Sequence, residues 1–161
     1  MEGCAVLDAI DAAIVRELQN DARLSNKDLA ARVNVAPSTC LVRQRALRER
    51  GVITGYRAEV DLGALGRPLQ AMIAVQVRPH TRVVVEAFLA YVLDQPETIM
   101  ATHVAGPDDF IVHVAVADAT HLQRLLLDRY TTRKEVTQLH TNLVFEHHRR
   151  RTLVPTADVL S

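Results

Sequence analysis

From Leu7 to Glu49 apolar positions recur at helical spacing, and from Leu69 onward strand and helical periods alternate. In the first stretch Leu7, Ile10, Ile14, Val15 and Leu18 form one stripe, with Arg16, Gln19 and Asn20 off it. Asp8 stands where a helix cap is expected, with Asp11 three residues on, and Asp21-Ala22 ends the helix. Ser25-Asn26-Lys27-Asp28 then fits a Ser-x-x-Asp capping pattern. It opens a short second helix with Leu29, Ala30 and Val33 inward. Asn34-Val35-Ala36 is a tight connection, and Pro37 suits the first position of a third helix. That helix runs to about Arg50 and stops at Gly51, which readily takes a left-handed C-terminal conformation.

After Gly51 the period changes. Residues 52–56 read as a turn, 57–60 as a strand, and 61–68 as a linker with one helical turn, punctuated by Gly63, Gly66 and Pro68. Six elements follow: strand 69–78, helix 82–93, strand 98–104, strand 110–116, helix 119–130 and strand 136–146. The first of these helices turns Val84, Ala87, Phe88 and Tyr91 or Val92 inward, the second Leu122, Leu125 and Leu126. This order is that of a split-βαβ, ferredoxin-like sandwich. The fold class is therefore α+β: a three-helix helix-turn-helix domain over 1–60, the linker 61–68, a ferredoxin-like βαββαβ domain over 69–150, and a solvated tail over 151–161 that follows Arg149 and Arg150 with Arg151.

Composition changes the picture only when it is divided. The 161 residues are 48% apolar and 24% charged, a globular balance, with 19 basic and 19 acidic side chains and no net charge. Residues 36–57, however, carry Arg43, Arg45, Arg48, Arg50 and Arg57 against Glu49 alone. A basic second helix after a short first one is what a helix-turn-helix offers to the DNA major groove. At about 100° per residue, Cys40 and Leu47 face the core, with Gln44 at its border. Ser38, Thr39, Val42, Arg43 and Arg45 are then the exposed N-terminal set, suited to base edges and nearby phosphates. Arg48, Arg50 and Arg57 are the candidates for phosphate alone. The expected partner is double-stranded DNA.

Two cysteines, Cys4 and Cys40, read as reduced thiols and cannot build a Cys-rich zinc site. Early acids exclude a signal peptide, and the uncharged run 68–77 is too short to span a bilayer. The expected location is cytoplasmic, and the Arg-rich, Lys-poor composition points to a bacterial source.

The second domain could serve several ends. RNA stacking needs strand aromatics, and only six Phe and Tyr residues exist in the chain. Metal sensing could draw on seven histidines, all in this domain: His80, His103, His113, His121, His140, His147 and His148. They lack a local ligand-spacing motif, so no metal is expected. Asp108 and Asp109 are adjacent, but no nucleophile elbow, phosphate loop or paired-acid motif accompanies them, so the chain does not read as an enzyme. A sheet with helices on one face leaves the other to be buried against a second copy, here through Ile73, Val75, Val77, Ile111, Val112 and Val114.

Four segments at mutual spacing resemble the Lrp/AsnC (feast/famine) family of transcriptional regulators. They are Leu7-Asp8-Ala9-Ile10-Asp11, 25–30, Pro37-Ser38-Thr39-Cys40-Leu41-Val42-Arg43 and Gly51-Val52-Ile53-Thr54-Gly55-Tyr56. Val104-Ala105-Gly106-Pro107-Asp108-Asp109-Phe110 resembles the Gly-x-x-Asp-aromatic turn of that family's amino-acid-binding domain. The resemblance implies a winged helix-turn-helix, dimers that often assemble into octamers, and amino-acid effectors bound between dimers. By the same resemblance His103, Val104, Ala105, Gly106, Pro107, Asp108 and Asp109 are the effector-site candidates. A small-molecule effector, an amino acid or related metabolite, is implied in place of a cofactor. Two alternatives stay open: an effector-independent architectural DNA-binding oligomer, and a metabolite-binding oligomer without DNA function.

Overall fold

The computed structural model describes residues 7–150 and 152–156. Cys4, Arg151 and most of the expected tail lie outside the described residues. The chain forms two compact units. One combines the segment up to Ala58 with the segment from His148 onward; the other is Glu59–His147.

In the first unit, α1 is Ala9–Asn20, α2 Asn26–Arg32 and α3 Pro37–Glu49. Asp8 caps α1 by accepting the Asp11 N–H at 2.7 Å. Ser25 caps α2, accepting from the Asp28 N–H at 3.1 Å while its hydroxyl donates to the Asp28 carboxylate at 2.6 Å. Ala36 offers α3 no side-chain cap, but Pro37 at the first position has no N–H to satisfy. The connection between α2 and α3 turns at Asn34, whose φ is 55°. It is fastened by the Asn26 amide donating to the Pro37 carbonyl at 2.8 Å. Gly51 (φ 71°) ends α3. Leu7, Ile14, Leu18, Leu29, Ala30, Cys40 and Leu47 make one buried cluster.

Two expectations fail here. Residues 57–60, expected as a strand, form none. The segment after His148 is not wholly a solvated tail: the Gln19 amide donates to the Leu153 carbonyl at 2.8 Å and accepts the Leu153 N–H at 2.9 Å. Thr152 donates to Asn20 at 2.5 Å. Thr152 and Leu153 are thus stitched to the end of α1, where Gln19 and Asn20 lie off the apolar stripe.

The second unit contains β1 Leu69–Val77, α4 Arg82–Asp94, β2 Thr98–His103, β3 Phe110–Val116, α5 Ala119–Leu125 and β4 Val136–Leu143. The four strands are antiparallel in the order β2-β3-β1-β4, the ferredoxin-like arrangement. The last turn after α5, Leu126–Tyr130, widens to a π-helix and brings Tyr130 fully into the core. Strand β4 ends three residues earlier than expected, and just beyond it Val144 donates to the Gln70 carbonyl at 3.0 Å.

Ala71, Ile73, Val75, Val77, Phe110, Val112, Val114 and Val116 point to the helix-covered side. There they pack with Phe88, Val92, Leu122, Leu125 and Tyr130. Phe88 anchors the layer, its ring 4.9 Å from that of Phe110 and 6.5 Å from that of Tyr130. Burying each such side chain contributes ~2–3 kcal/mol. The residues expected on the open face are therefore corrected: Ile73, Val75, Val77, Val112 and Val114 are core, and only Ile111 of that set is open. The open face is instead made by Gln70, Met72, Ala74, Gln76, Ile111, His113 and Ala115, with the pleat offset by one residue. Ala87 of α4 is exposed, not inward. Among the described residues no helix is long and apolar enough to cross a membrane.

Candidate DNA-binding and effector-binding sites

Helix α3 presents Ser38, Thr39, Leu41, Val42, Arg45 and Arg48 to solvent, while Cys40 and Leu47 are fully buried beneath it. Val42 is 65% exposed, high for a valine on a packed helix and consistent with a surface meant to be covered. Beside the C-terminal half of α3, a cleft of about 570 Å³ is lined by Arg45, Arg48, Glu49, Ile53, Thr54, Gly55 and Tyr56. Val52 and Ile53 both donate to the Leu47 carbonyl, at 2.9 and 3.1 Å, which folds this segment back along the helix. Arg57 is also exposed. Thr54 and Tyr56 escaped the sequence-based selection. The Gly51 stop followed by Gly55-Tyr56 was the available signal, since it forces the chain to pass next to the two arginines.

Arg43 and Arg50 are placed differently from expectation. Arg43 lies on the flank of α3 that faces α1. Its guanidinium meets Asp8 at 2.5 Å and Asp11 at 2.8 Å. Arg50 reaches the other Asp11 oxygen at 3.3 Å. The Asp8 carboxyl is held below its ordinary range first by the Asp11 N–H, then, against the opposing effect of burial, by the Arg43 charge.

The Gly106 turn joins β2 to β3. Val104 donates to the Asp109 carbonyl at 2.9 Å and closes it. Gly106 has φ 155°, a conformation that disfavours side chains, and open space lies where a Cβ would be. Ala105, Gly106 and Pro107 are exposed and Asp108 half-buried. Among the described residues, the N–H groups of Ala105, Gly106 and Asp108 make no protein hydrogen bond. The Pro107 carbonyl is taken by the Gln76 amide at 2.6 Å.

Asp109, one of the effector-site candidates, is buried and already engaged. Its Oδ2 accepts from the Val77 N–H at 2.7 Å and from Arg78 at 2.8 Å, and its Oδ1 lies 2.8 Å from His80 Nδ1. Burial pushes this carboxyl up, yet the Val77 N–H, Arg78 and His80 together hold it below the usual carboxylate range. His103 stacks between His80 and Phe110, at 5.8 and 4.9 Å. Asp108 lies 4.0 Å from His140. Arg78, His80 and Gln76 could be tied to this turn only through the β1–β3 register, which no local motif announces. Elsewhere on the open sheet face His113 stands 3.0 Å from the Gln70 side chain and 3.2 Å from His147. Among the described residues no three His, Cys, Asp or Glu side chains are placed to hold a metal ion.

Together these parts define a two-domain regulator, one unit a helix-turn-helix and the other a ferredoxin-like sandwich. Residues 7–54 match the winged helix-turn-helix DNA-binding model, and residues 70–154 match the Lrp/AsnC ligand binding domain. A relative named HTH-type transcriptional regulator AldR, from Mycolicibacterium smegmatis, is 40% identical, covering 89% of this chain and 84% of its own. The leucine-responsive regulatory protein of Rhizobium meliloti is 36% identical, covering 85% and 88%. A solved transcriptional regulator of Neisseria meningitidis, in complex with L-Met, superposes with a TM-score of 0.86 at 28% identity, covering 96% of this chain and 99% of that one. The chain belongs to the Lrp/AsnC family of DNA-binding transcriptional regulators.

Proposed function

We propose that this regulator meets the DNA major groove with Ser38, Thr39 and Val42 and holds the adjoining phosphates with Arg45, Arg48 and Arg57. A small metabolite carrying a carboxylate, an amino acid in the first instance, binds at the Gly106 turn and biases assembly or DNA affinity. The observation that carries the effector reading is the turn itself. Three N–H groups of this exposed turn have no protein acceptor among the described residues, a set of donors that suits a carboxylate. The L-Met complex of the Neisseria regulator supports an amino acid as the first class to try. The ammonium partner falls to Asp108 rather than Asp109, because Asp109 has no oxygen to spare.

Assembly follows from the open sheet face. Met72, Met100 and Ile111 are partly or well exposed there around the buried Ala74, Ala115 and His113. A second copy covering this face makes a two-fold dimer with two reading helices. Higher assembly, up to an octamer, would place several turns together and multiply weak single-head affinities. The test is a mobility-shift titration on the chain's own upstream DNA, with and without each of the common amino acids. A retarded complex whose midpoint moves with at least one amino acid is the expected result. A complex indifferent to all of them removes the effector from the account, and no complex at all removes the DNA.

A further inference from the structure

The third helix has a thin hold on its own domain. Its only fully buried side chains are Cys40 and Leu47, seven positions apart and so almost on one line along the helix. Contact along a single line leaves rotation about the helix axis weakly specified. Any such rotation would re-aim Ser38, Thr39, Val42 and Arg45. Arg43 projects sideways from that line towards α1, and there every carboxylate oxygen has an assigned donor. Asp8 Oδ1 caps the Asp11 N–H at 2.7 Å and Asp8 Oδ2 takes Arg43 at 2.5 Å. Asp11 Oδ1 takes Arg43 at 2.8 Å and Asp11 Oδ2 takes Arg50 at 3.3 Å. The Asp11 side chain is only 10% exposed. Pulling Arg43 away to a phosphate would leave an acid stranded in poor solvent, which is costly. Among the described residues Arg45 and Arg48 carry no such tie.

We propose that Arg43 is a positioning residue: braced on Asp8 and Asp11, it fixes the rotation of the recognition helix and makes no contact with DNA. The inference rests on the reading of α3 as the DNA-facing helix. It also halves the charge that the basic stretch can offer. Arg43 and Arg50 are neutralised within the domain, which leaves Arg45, Arg48 and Arg57 against Glu49. Weak non-specific binding follows, and discrimination rests on aim rather than on field.

The experiment uses the full chain and a labelled random-sequence duplex, read by fluorescence anisotropy between about 50 and 200 mM salt, where the slope of log affinity against log salt counts phosphate contacts. Arg45→Gln should flatten that slope by about 0.9 for each DNA-bound head. Arg43→Gln, which keeps hydrogen-bond donors for the two acids, should leave the slope at the wild-type value. A slope that falls with Arg43→Gln as it does with Arg45→Gln overturns the proposal. A second arm needs no DNA: a thermal-unfolding cycle of Arg43→Gln, Asp11→Asn and the double variant. Strong non-additivity is expected of a brace, and simple additivity overturns it. A wild type with no salt-dependent binding at all would sink the DNA-facing reading and this inference with it. Flat slopes in every protein distinguish that result from one confined to Arg43.

Discussion

The DNA-facing helix and the Gly106 turn use one device with the charges exchanged. On α3 a basic residue, Arg43, is anchored by two acids of the neighbouring helix, while Ser38, Thr39, Val42 and Arg45 around it stay exposed. At the turn an acid, Asp109, is anchored by Val77, Arg78 and His80 of the neighbouring strand end, while Ala105, Gly106 and Pro107 stay exposed. On the proposed reading the charged residue nearest each binding surface is scaffolding, and its uncharged or freely exposed neighbours form the surface. The difference lies in depth. The Asp109 side chain is 11% exposed and also accepts a backbone N–H, whereas Arg43 keeps 29% of its side chain in solvent. Deeper scaffolding should cost more to remove.

Breaking the deeper brace tests that directly. Asp109→Ala strands the Val77 N–H, the Arg78 guanidinium and the His80 imidazole. It should cost the second domain about 2–3 kcal/mol, which for a domain of this size is a fall in Tm of roughly 10–20 °C. Calorimetry showing a loss of only a degree or two would mean that the turn does not depend on Asp109. The shallower brace should cost less: Asp11→Asn removes the charge that Arg43 and Arg50 share. A loss of about 1–2 kcal/mol is expected from the first domain; a loss equal to that of Asp109→Ala would erase the distinction between the two regions.

Acid sharpens the comparison. His113 is held below its ordinary value, first by burial and then by the His147 charge, so its neutral form belongs to the folded state. Its contribution is present above about 6.5 and is lost as pH falls through the lowered folded value. Asp109 is also depressed, so its contribution persists to lower pH and is lost only as pH falls below the usual carboxylate range. The second domain should therefore soften in two stages on acidification. His113→Gln should abolish the first stage and leave the second. An unchanged melting profile between mildly acidic and neutral pH in that variant would count against the assignment.

The smallest effect on stability should come from the exposed surface. Ala105→Glu puts a carboxylate before the free N–H groups of the turn. It should shift stability by less than about 0.5 kcal/mol yet abolish the heat of amino-acid binding in titration calorimetry. Retained binding would move the effector elsewhere.

The helix caps, the Pro37 start and the Gly51 stop were legible because their partners lie within four residues of one another. The sheet order was legible from the succession of periods. The open face was not, because Ala74 beside Ile73 and Ile111 beside Val112 leave apolar residues on both sides of the pleat. A one-residue error in parity then exchanges the faces. Arg43 and Asp109 were recognised as belonging to the two sites, but their roles depend on partners 35 and 31 positions away. The pairing of Leu153 with Gln19 spans 134 positions and leaves no local mark. Charge announces where a site is; only the fold tells whether a charged group is spent on the scaffold.

The most direct test of the account is the salt dependence of DNA binding by the Arg45→Gln, Arg48→Gln double variant beside the wild type. Both arginines are exposed and line one cleft, so their loss should leave the melting temperature unchanged and flatten the slope by about 1.8 for each DNA-bound head. A wild-type slope in the double variant would contradict the assignment of this helix and cleft as the DNA-binding surface.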